Sequence, residues 1–179
     1  MPFRAFGLAL LAASLLAACG GQPSSVEWRN VDVELPDGWY VFEDEDTRLS
    51  ISNQDLAAVE DPEEAVPEGD VVAMFFTYEP DTLPDDWRGF VEQQDATLES
   101  DERIELDGQV PATRLVFEYV TDDIPTREMV VVIPSRGIVV LAQPVPAPGD
   151  DDAPEVFLEY LDTFQQVLDA AEFGRPLTE

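Results

Sequence analysis

The chain has no histidine and no lysine, and these two absences limit the chemistry that it can perform. Imidazole and amine side chains are the general bases and amine nucleophiles that enzymes use most often. The single cysteine, Cys19, therefore has no histidine to activate it as a thiolate. Catalysis would have to depend on Asp, Glu, Tyr or Ser, and no pair of these stands out among so many acids. We expect a protein that is not an enzyme and that binds no cofactor.

Positive charge is also scarce. The chain has 9 basic residues, all of them arginine, against 39 acidic residues, and its formal net charge is −30 at pH 7. This charge excludes a nucleic-acid partner, since phosphate binding needs a basic face, and it repels the domain from anionic lipid headgroups. Because the acids are spread along the chain, we interpret them as a solvated surface suited to high salt. The alternative is that some of them bind calcium or a basic ligand.

Cys19 ends the one long apolar segment of the chain. Arg4 is the only charged residue before Glu27, and residues 5–18 contain only Ala, Leu, Phe, Gly and one Ser. This layout is typical of a secretory signal, and the segment is shorter than the about 20 residues that a membrane-spanning helix needs. The stretch LAAC, residues 16–19, resembles the lipobox of bacterial lipoproteins. The alternative is an ordinary secretory signal in which the cysteine has no role.

The lipobox resemblance implies an anchored protein. Residues 1–18 would be removed as a signal peptide, and Cys19 would be the lipid attachment site, acylated on its sulfur. Two or more acyl chains hold a protein stably on a bilayer, whereas one chain holds it only marginally. Residues 19–27 would form a polar, flexible tether. We therefore expect the protein at the cell membrane, lipid-anchored on the extracytoplasmic face.

Alternation of apolar and polar residues predicts a series of short strands. Turn residues separate them, including Pro36-Asp37-Gly38 and Asp107-Gly108, a dipeptide favoured in two-residue hairpin turns. Residues 53–70 are interpreted as a surface loop with one helical turn. The predicted strands cover residues 31–35, 39–42, 48–52, 71–78, 96–106, 110–120, 127–133 and 137–143.

Two helices are predicted. A short one begins at Pro84, and a long C-terminal one has Asp152 as the N-cap of a capping box and Gly174 as its terminating glycine. Runs of strands with separate helices predict an α+β domain with a central antiparallel sheet. This domain spans residues 28–174, and residues 175–179 are a tail. The apolar stripe of the long helix consists of Val156, Phe157, Tyr160, Leu161, Phe164, Val167, Leu168 and Ala171.

Four stretches carry a resemblance to a known fold: VELPDGWYVFE (33–43), IELDGQVPATRLVFEYV (104–120), REMVVVIPSRGIVVL (127–141) and EVFLEYLDTFQQVLDAAEF (155–173). They resemble the PsbP-like fold, in particular the LpqN-type lipoproteins of actinobacteria. This chain and the members of that group share a Gly-Trp near the first strand, a polar turn before Pro-Ala, and a last helix with Phe in its core stripe. The resemblance implies an α/β/α sandwich with a short middle helix and a long C-terminal helix. It also implies an accessory or binding role. The metal-binding histidines of some photosynthetic members have no counterpart.

Several residues were considered as functional sites. The acidic runs 43–46 and 150–152 could hold calcium, but neither has the EF-hand spacing or glycine. Ser135 lies in Pro-Ser-Arg-Gly, which is a hairpin turn rather than a nucleophile elbow. Trp28, Trp39 and Trp87 could line a ligand groove, although core packing is the commoner role. We assign no catalytic and no metal-binding residue.

The sequence leaves two functions open. The first is a monomeric, non-enzymatic accessory or binding module whose partner is another envelope protein or a small apolar ligand. The second is a carboxylate-dependent hydrolase that acts on cell-envelope polymers, since a pair of carboxylates suffices for glycoside cleavage. A deep cleft with two facing carboxylates would favour the hydrolase.

Overall fold

A computed structural model describes residues 24–58, 70–93, 95–121, 124–145 and 152–175. None of the helices in these ranges is long and apolar enough to cross a membrane. Cys19 lies outside the described residues. In chain order the elements are β1 (Ser25–Trp28), β2 (Val31–Glu34), β3 (Tyr40–Glu45), β4 (Arg48–Ser52), a 3-10 turn (Leu56–Ala58), β5 (Val72–Tyr78), α1 (Pro84–Gln93), β6 (Thr97–Leu106), β7 (Val110–Thr121), β8 (Ile124–Ile133), β9 (Ile138–Pro144), α2 (Ala153–Ala170) and β10 (Glu172–Phe173).

The described strands form two antiparallel sheets. The large sheet has seven strands in the order β3-β4-β5-β9-β8-β7-β6, and the small sheet has three in the order β1-β2-β10. Every pair of neighbours is antiparallel. The predicted α+β class with a large antiparallel sheet is confirmed. The two hairpins, β6–β7 and β8–β9, form where the sequence predicts them, except that β8 begins three residues earlier.

Helix α2 covers one face of the large sheet together with the small sheet. Phe157 and Phe164 are fully buried there, and the ring of Phe164 meets that of Trp39 edge to face at 6.3 Å. Burial of a phenylalanine side chain contributes about 1.5–3 kcal/mol. All eight residues of the predicted stripe belong to this core or pack against it. The stripe prediction is therefore confirmed.

Helix α1 lies on the opposite face of the large sheet. Its Val91 is buried against Leu115 and Phe117 of β7, whereas Val116, between them, belongs to the α2 core. Successive residues of a strand point to opposite faces, so this alternation places the two helices on opposite sides. Phe90 of α1 remains 36% exposed and contacts Phe117 edge to face.

The N-cap position predicted for the long helix is correct, but its capping box does not form, and the predicted terminating glycine is wrong. Asp152 precedes the helix, but its side chain makes no capping hydrogen bond; its ψ is 9° rather than extended, and Pro154 has no N–H to offer. At the other end α2 stops at Ala170, and Ala171 is extended, with φ −68° and ψ 128°. Residues 172–173 then pair with β2 as β10. Gly174 follows that strand instead of capping the helix.

The structure also contains strand pairing that the sequence does not reveal. β1 begins at Ser25, so three residues of the predicted tether form a strand with Trp28 and pair with β2. Residues 25–28 do alternate in polarity, but the sequence places the first three of them in the predicted tether. In the β6–β7 hairpin Leu106 pairs with Val110, so the loop between the strands has three residues, 107–109. It contains Gln109 in addition to the Asp107-Gly108 pair. Asp107 and Gly108 both have positive φ, 48° and 62°, as a tight hairpin turn requires.

Candidate functional site

A small cavity lies where four segments of the chain meet at one end of the molecule. It has a volume of about 30 Å³. The β1–β2 turn, the end of β5, the β8–β9 turn and the residues after β10 form its wall. The residues that line it are Arg29, Asn30, Val31, Tyr78, Arg136, Ile138, Gly174 and Arg175. We call it the arginine cavity.

The β1–β2 turn supplies the first arginine. Trp28 pairs with Val31, which leaves Arg29 and Asn30 as a two-residue turn with φ of 46° and 63°. Positive φ at both positions matches the twist of the strands, although a long side chain such as arginine adopts it rarely. Trp28 Nε1 donates to the carbonyl of Glu45 at 2.7 Å, and Arg29 Nη1 donates to that of Asp46 at 2.8 Å. These two bonds hold the turn against the β3–β4 hairpin.

Arg29 is also fixed by an aromatic ring. Its guanidinium carbon lies 3.7 Å from the centroid of the Tyr78 ring, a cation–π contact. Tyr78 is the last residue of β5 and pairs with Ile138 of β9. The guanidinium is therefore held from one face by the ring and at one edge by a carbonyl, before any ligand is present.

The β8–β9 turn supplies Arg136. The next residue, Gly137, has φ of 63°, and its carbonyl accepts a hydrogen bond from Glu79 N at 2.7 Å. A Cβ at this position would lie 2.8 Å from Cα of Pro80. Only glycine lets the turn come so close to the chain that leaves β5. The glycine thus brings Arg136 to the cavity.

Arg136 has unused hydrogen-bonding capacity. Its Nε is buried and has no partner in the described residues. Its Nη1 and Nη2 reach the carbonyls of Ser135 and Phe173 only at 3.4 and 3.5 Å, the long limit for such bonds. A buried donor without an acceptor is costly, by about 1–3 kcal/mol. Because Nε exposes almost no surface, the donors of Arg136 that are left to a ligand are the two Nη groups with their long contacts.

The C-terminal segment closes the cavity. Gly174 N donates to the carbonyl of Asn30 at 2.8 Å, and Asn30 Nδ2 donates to the carbonyl of Arg175 at 3.0 Å. A Cβ on Gly174 would lie 2.7 Å from that Asn30 oxygen. This close approach, rather than helix termination, is the role that the structure gives Gly174. It places the third arginine of the cavity, Arg175, beside the β1–β2 turn.

The cavity arginines differ in their charge environment from most of the other described arginines. Arg48, Arg88, Arg114 and Arg127 each form an ion pair with at least one carboxylate. Within the described ranges the three cavity arginines form no such pair. Acids outnumber arginines more than fourfold in the whole chain, so three arginines without carboxylates in one cavity are unusual. Guanidinium groups in this state recognise carboxylate or phosphate oxygens.

The first acidic run considered for calcium, residues 43–46, does not converge on one site among the described residues. Glu43 accepts a hydrogen bond from Ser50 Oγ at 2.6 Å and lies 3.1 Å from Arg48 Nε. The next three acids, residues 44–46, are exposed and border a groove beside Trp28 and Arg29. Among the described side chains, no group of three or more His, Cys, Asp or Glu could hold a metal ion. Residues 150 and 151 of the second acidic run lie outside the described residues.

Ser135 and the three tryptophans, which the sequence offered as candidate functional residues, lie in a turn or pack in the core. Ser135 is exposed in the β8–β9 turn. Trp28 and Trp39 are buried in the core beneath α2, and Trp87 packs against the core beneath α1. Core packing, the role expected for tryptophan, is confirmed for these three residues.

One buried acid was missed from the sequence. Glu128 is only 5% exposed, and the hydroxyl of Tyr119 donates to its Oε1. Burial raises the pKa of Glu128, and the bond from Tyr119 lowers it in part. Burial and the neighbouring Glu128 also raise the pKa of Tyr119. The sequence did contain a signal of this burial, because Glu128 stands directly before the apolar run MVVVI in a predicted strand.

Comparisons with known proteins identify no family. No family model and no curated protein matches the chain. Among solved structures it is similar to the crystal structure of PA94, a protein of unknown function from Pseudomonas aeruginosa. The two chains are 14% identical, the TM-score is 0.47, and the match covers 88% of this chain and 100% of the other. A likeness of this extent assigns no function.

Proposed function

We propose that the chain is a non-enzymatic binding module with a PsbP-like α/β/α domain, anchored through acylated Cys19 to the extracytoplasmic face of a membrane. Its ligand, a small molecule or part of an envelope protein, places an anionic group in the arginine cavity. The observation that carries this proposal is the convergence of three arginines that have no carboxylate partner among the described residues, in a chain of net charge −30. Cationic walls favour an anionic group over the small apolar ligand that composition alone left open.

The cavity is organised before a ligand arrives. Arg29 is held by the Tyr78 ring and by the carbonyl of Asp46, so little side-chain freedom is lost when an anion binds. Arg136 contributes two Nη groups whose hydrogen bonds within the described residues are long, at 3.4 and 3.5 Å. A charge-assisted hydrogen bond to an anion is stronger than one to a neutral oxygen. The preorganised guanidinium of Arg29 and the weakly bonded Nη groups of Arg136 together support anion binding at this place.

The direction of β1 suggests how the domain faces the membrane. The strand runs from Ser25 to Trp28, so the tether enters at one end and the Arg29 turn lies at the other. The six residue-to-residue steps from Cys19 to Ser25 span at most about 20 Å, and β1 itself separates its ends by about 10 Å. The cavity is thus at the end of the strand remote from the anchor. This supports a ligand that approaches from the extracytoplasmic compartment.

Anion titrations of matched variants test the proposal. We expect sodium acetate or sodium phosphate to raise the melting temperature of the full chain in non-ionic detergent, along a saturable curve at constant ionic strength. Arg136→Gln should remove the saturable part. Arg103→Gln is the control, because Arg103 is exposed on β6, makes no ion pair with a carboxylate in the described part, and does not line the cavity.

The control also separates site binding from general salt effects. Phosphate stabilises folded proteins by exclusion from their surface, and both variants would respond equally to that effect. Binding is therefore the part of the stabilisation that Arg103→Gln keeps and Arg136→Gln loses. Equal responses of the two variants to both anions would refute an anion site in the cavity.

A further inference from the structure

We infer that helix α1 is a displaceable cover, which opens as one unit while the seven-stranded sheet beneath it stays folded. Opening exposes an apolar part of the sheet that is buried when the helix is closed. Five residues form this part, which we call the covered face: Leu115, Phe117, Val130, Val132 and Val139. Three features of α1 point to this device: the small part of it that is buried, residues that weaken the helix, and one arginine that ties it to β6.

Helix α1 is attached to the sheet by few buried side chains. Of its ten residues, all described, only Val91 is buried, whereas six residues of α2 are buried. Trp87 packs against the covered face but stays partly exposed, and Phe90, which meets Phe117 edge to face, is 36% exposed. A helix this short depends on packing for its stability, because it is not stable alone in water. An element with few buried contacts opens at a lower free energy than the core.

Residues in and after α1 also weaken the helix itself. Gly89 lies in its interior, where glycine is much less favourable than alanine. A Cβ there would have nothing within 4 Å, so close packing does not require the glycine. After the helix, Asp95 adopts φ of 53°, in a C-terminal turn where glycine is usual and where Ala96 N donates to the carbonyl of Val91. The last turn contains Glu92 and no basic residue, although the helix dipole favours positive charge there. Departures of this kind from local rules are expected at functional elements.

Arg88 ties the helix to β6. Its Nε and Nη2 donate to the two carboxylate oxygens of Asp101 at 2.7 and 2.8 Å, a two-pronged contact between helix and sheet. Among the described residues, no other side chain of α1 forms a hydrogen bond or ion pair with a strand. The side chains of Arg88 and Asp101 are 33% and 34% exposed, so water competes for this contact and it can break and form again.

The covered face is complete without the helix. Its five residues are at most 3% exposed in the closed form and come from the neighbouring strands β7, β8 and β9. These strands pair with one another along their length, so the sheet can stay folded when α1 leaves it. An apolar group of a ligand would have to displace α1 in order to bind there. Its apparent affinity would be lower because only a fraction of the chains is open, so the helix controls access to this face.

Two neighbouring valines of β8 provide a matched test. Val130 and Val131 are both fully buried, but Val130 belongs to the covered face and Val131 to the core beneath α2. Val130→Cys and Val131→Cys would be made separately in the full chain with Cys19→Ser, so that each variant has a single thiol. The readout is the rate of labelling by N-ethylmaleimide, a neutral reagent, at pH 7 and constant ionic strength, relative to the rate for the same variant unfolded in urea.

We expect the thiol of Val130→Cys to react at least about tenfold faster than that of Val131→Cys, at a rate that changes little in urea below the unfolding transition. Opening of one short helix exposes little surface, whereas the unfolding that exposes the core is steeply dependent on urea. Gly89→Ala should slow labelling in Val130→Cys about fivefold, because alanine strengthens the helix. Arg88→Gln should speed it about threefold. Arg103→Gln removes the same charge from β6, where Arg103 forms no ion pair with a carboxylate in the described part, and should leave the rate unchanged.

Three results would overturn the displaceable cover: equal labelling of the two thiols, labelling in Val130→Cys that Gly89→Ala does not slow, or equal rates with Arg88→Gln and Arg103→Gln. Hydrogen exchange of the unaltered chain is a second measurement that needs no variant. Amides of α1 should exchange at least about tenfold faster than those of residues 130–132, after correction for intrinsic rates, with little dependence on urea. Exchange of both sets at the same rate would show that α1 opens only when the whole domain unfolds, and would also overturn the cover.

Discussion

Gly137 and Gly108 allow the cost of one steric contact to be measured almost in isolation. Both glycines lie in hairpin turns, and their φ angles are nearly identical, 63° and 62°. A Cβ at Gly137 would lie 2.8 Å from Cα of Pro80 and 3.2 Å from Cε2 of Tyr78. A Cβ at Gly108 would have nothing within 4 Å. Substitution of each glycine by alanine therefore imposes the same backbone strain but a different contact.

The expected magnitudes follow from these two contributions. A left-handed backbone costs a residue with a Cβ about 1–2 kcal/mol. Gly108→Ala should therefore lower the free energy of unfolding by about 1–2 kcal/mol. Gly137→Ala adds a backbone contact that must be relieved by displacement, and overpacking of this kind costs about 1–3 kcal/mol more. Its total loss should be about 2–5 kcal/mol.

Urea unfolding of the two variants in the Cys19→Ser background, which lacks the proposed lipid attachment site, would measure both losses. Unchanged m-values would show that the two variants expose the same surface on unfolding. Because Gly137 positions Arg136, we also expect Gly137→Ala to weaken anion binding, while Gly108→Ala leaves it unchanged. Equal losses of stability in the two variants would show that the close approach to Pro80 is not a constraint, and would refute the account of how Arg136 is placed.

Three further predictions concern the buried acid, the anchor and the surface charge. Folding raises the pKa of Glu128, so the stability gained from its protonated form is fully present below the unfolded pKa of about 4.5 and is lost as pH rises through the folded pKa. Glu128→Gln should therefore raise the free energy of unfolding at pH 8 and change it little at pH 4 in urea titrations; a less stable variant at pH 8 would contradict this. Cys19→Ser should move the protein out of the membrane fraction, and mass spectrometry of the wild-type N-terminal peptide should show an acylated Cys19 as the first residue; an unmodified Cys19 would refute the anchor. The melting temperature should rise between 0.1 and 1 M sodium chloride as the Debye length falls from about 10 to about 3 Å, and a flat or falling value would argue against surface repulsion as a main cost.

Local patterns were sufficient for most of the secondary structure. The hairpin around Asp107-Gly108 and the apolar stripe of α2 depend on residues close together in the chain, and both form as predicted. The α+β class follows from the order of such elements. The end of α2 was mistaken because Gly174 reads locally as a terminating glycine, while its actual constraint is the carbonyl of Asn30. A contact of that kind leaves no local signal.

Composition and short motifs alone determined two predictions: where this protein is located, and which partners are excluded. The net charge, the missing histidine and lysine, and the stretch around Cys19 that resembles a lipobox are properties of the unfolded chain as much as of the folded one. The arginine cavity is different, because its residues come from segments as far apart as Asn30 and Arg175, which lie 145 positions apart. Only pairing of β10 with β2, and of β5 with β9, brings these segments together. Which arginines pair with carboxylates and which remain available to a ligand depends on those long-range contacts, and so it was decided by the tertiary structure alone.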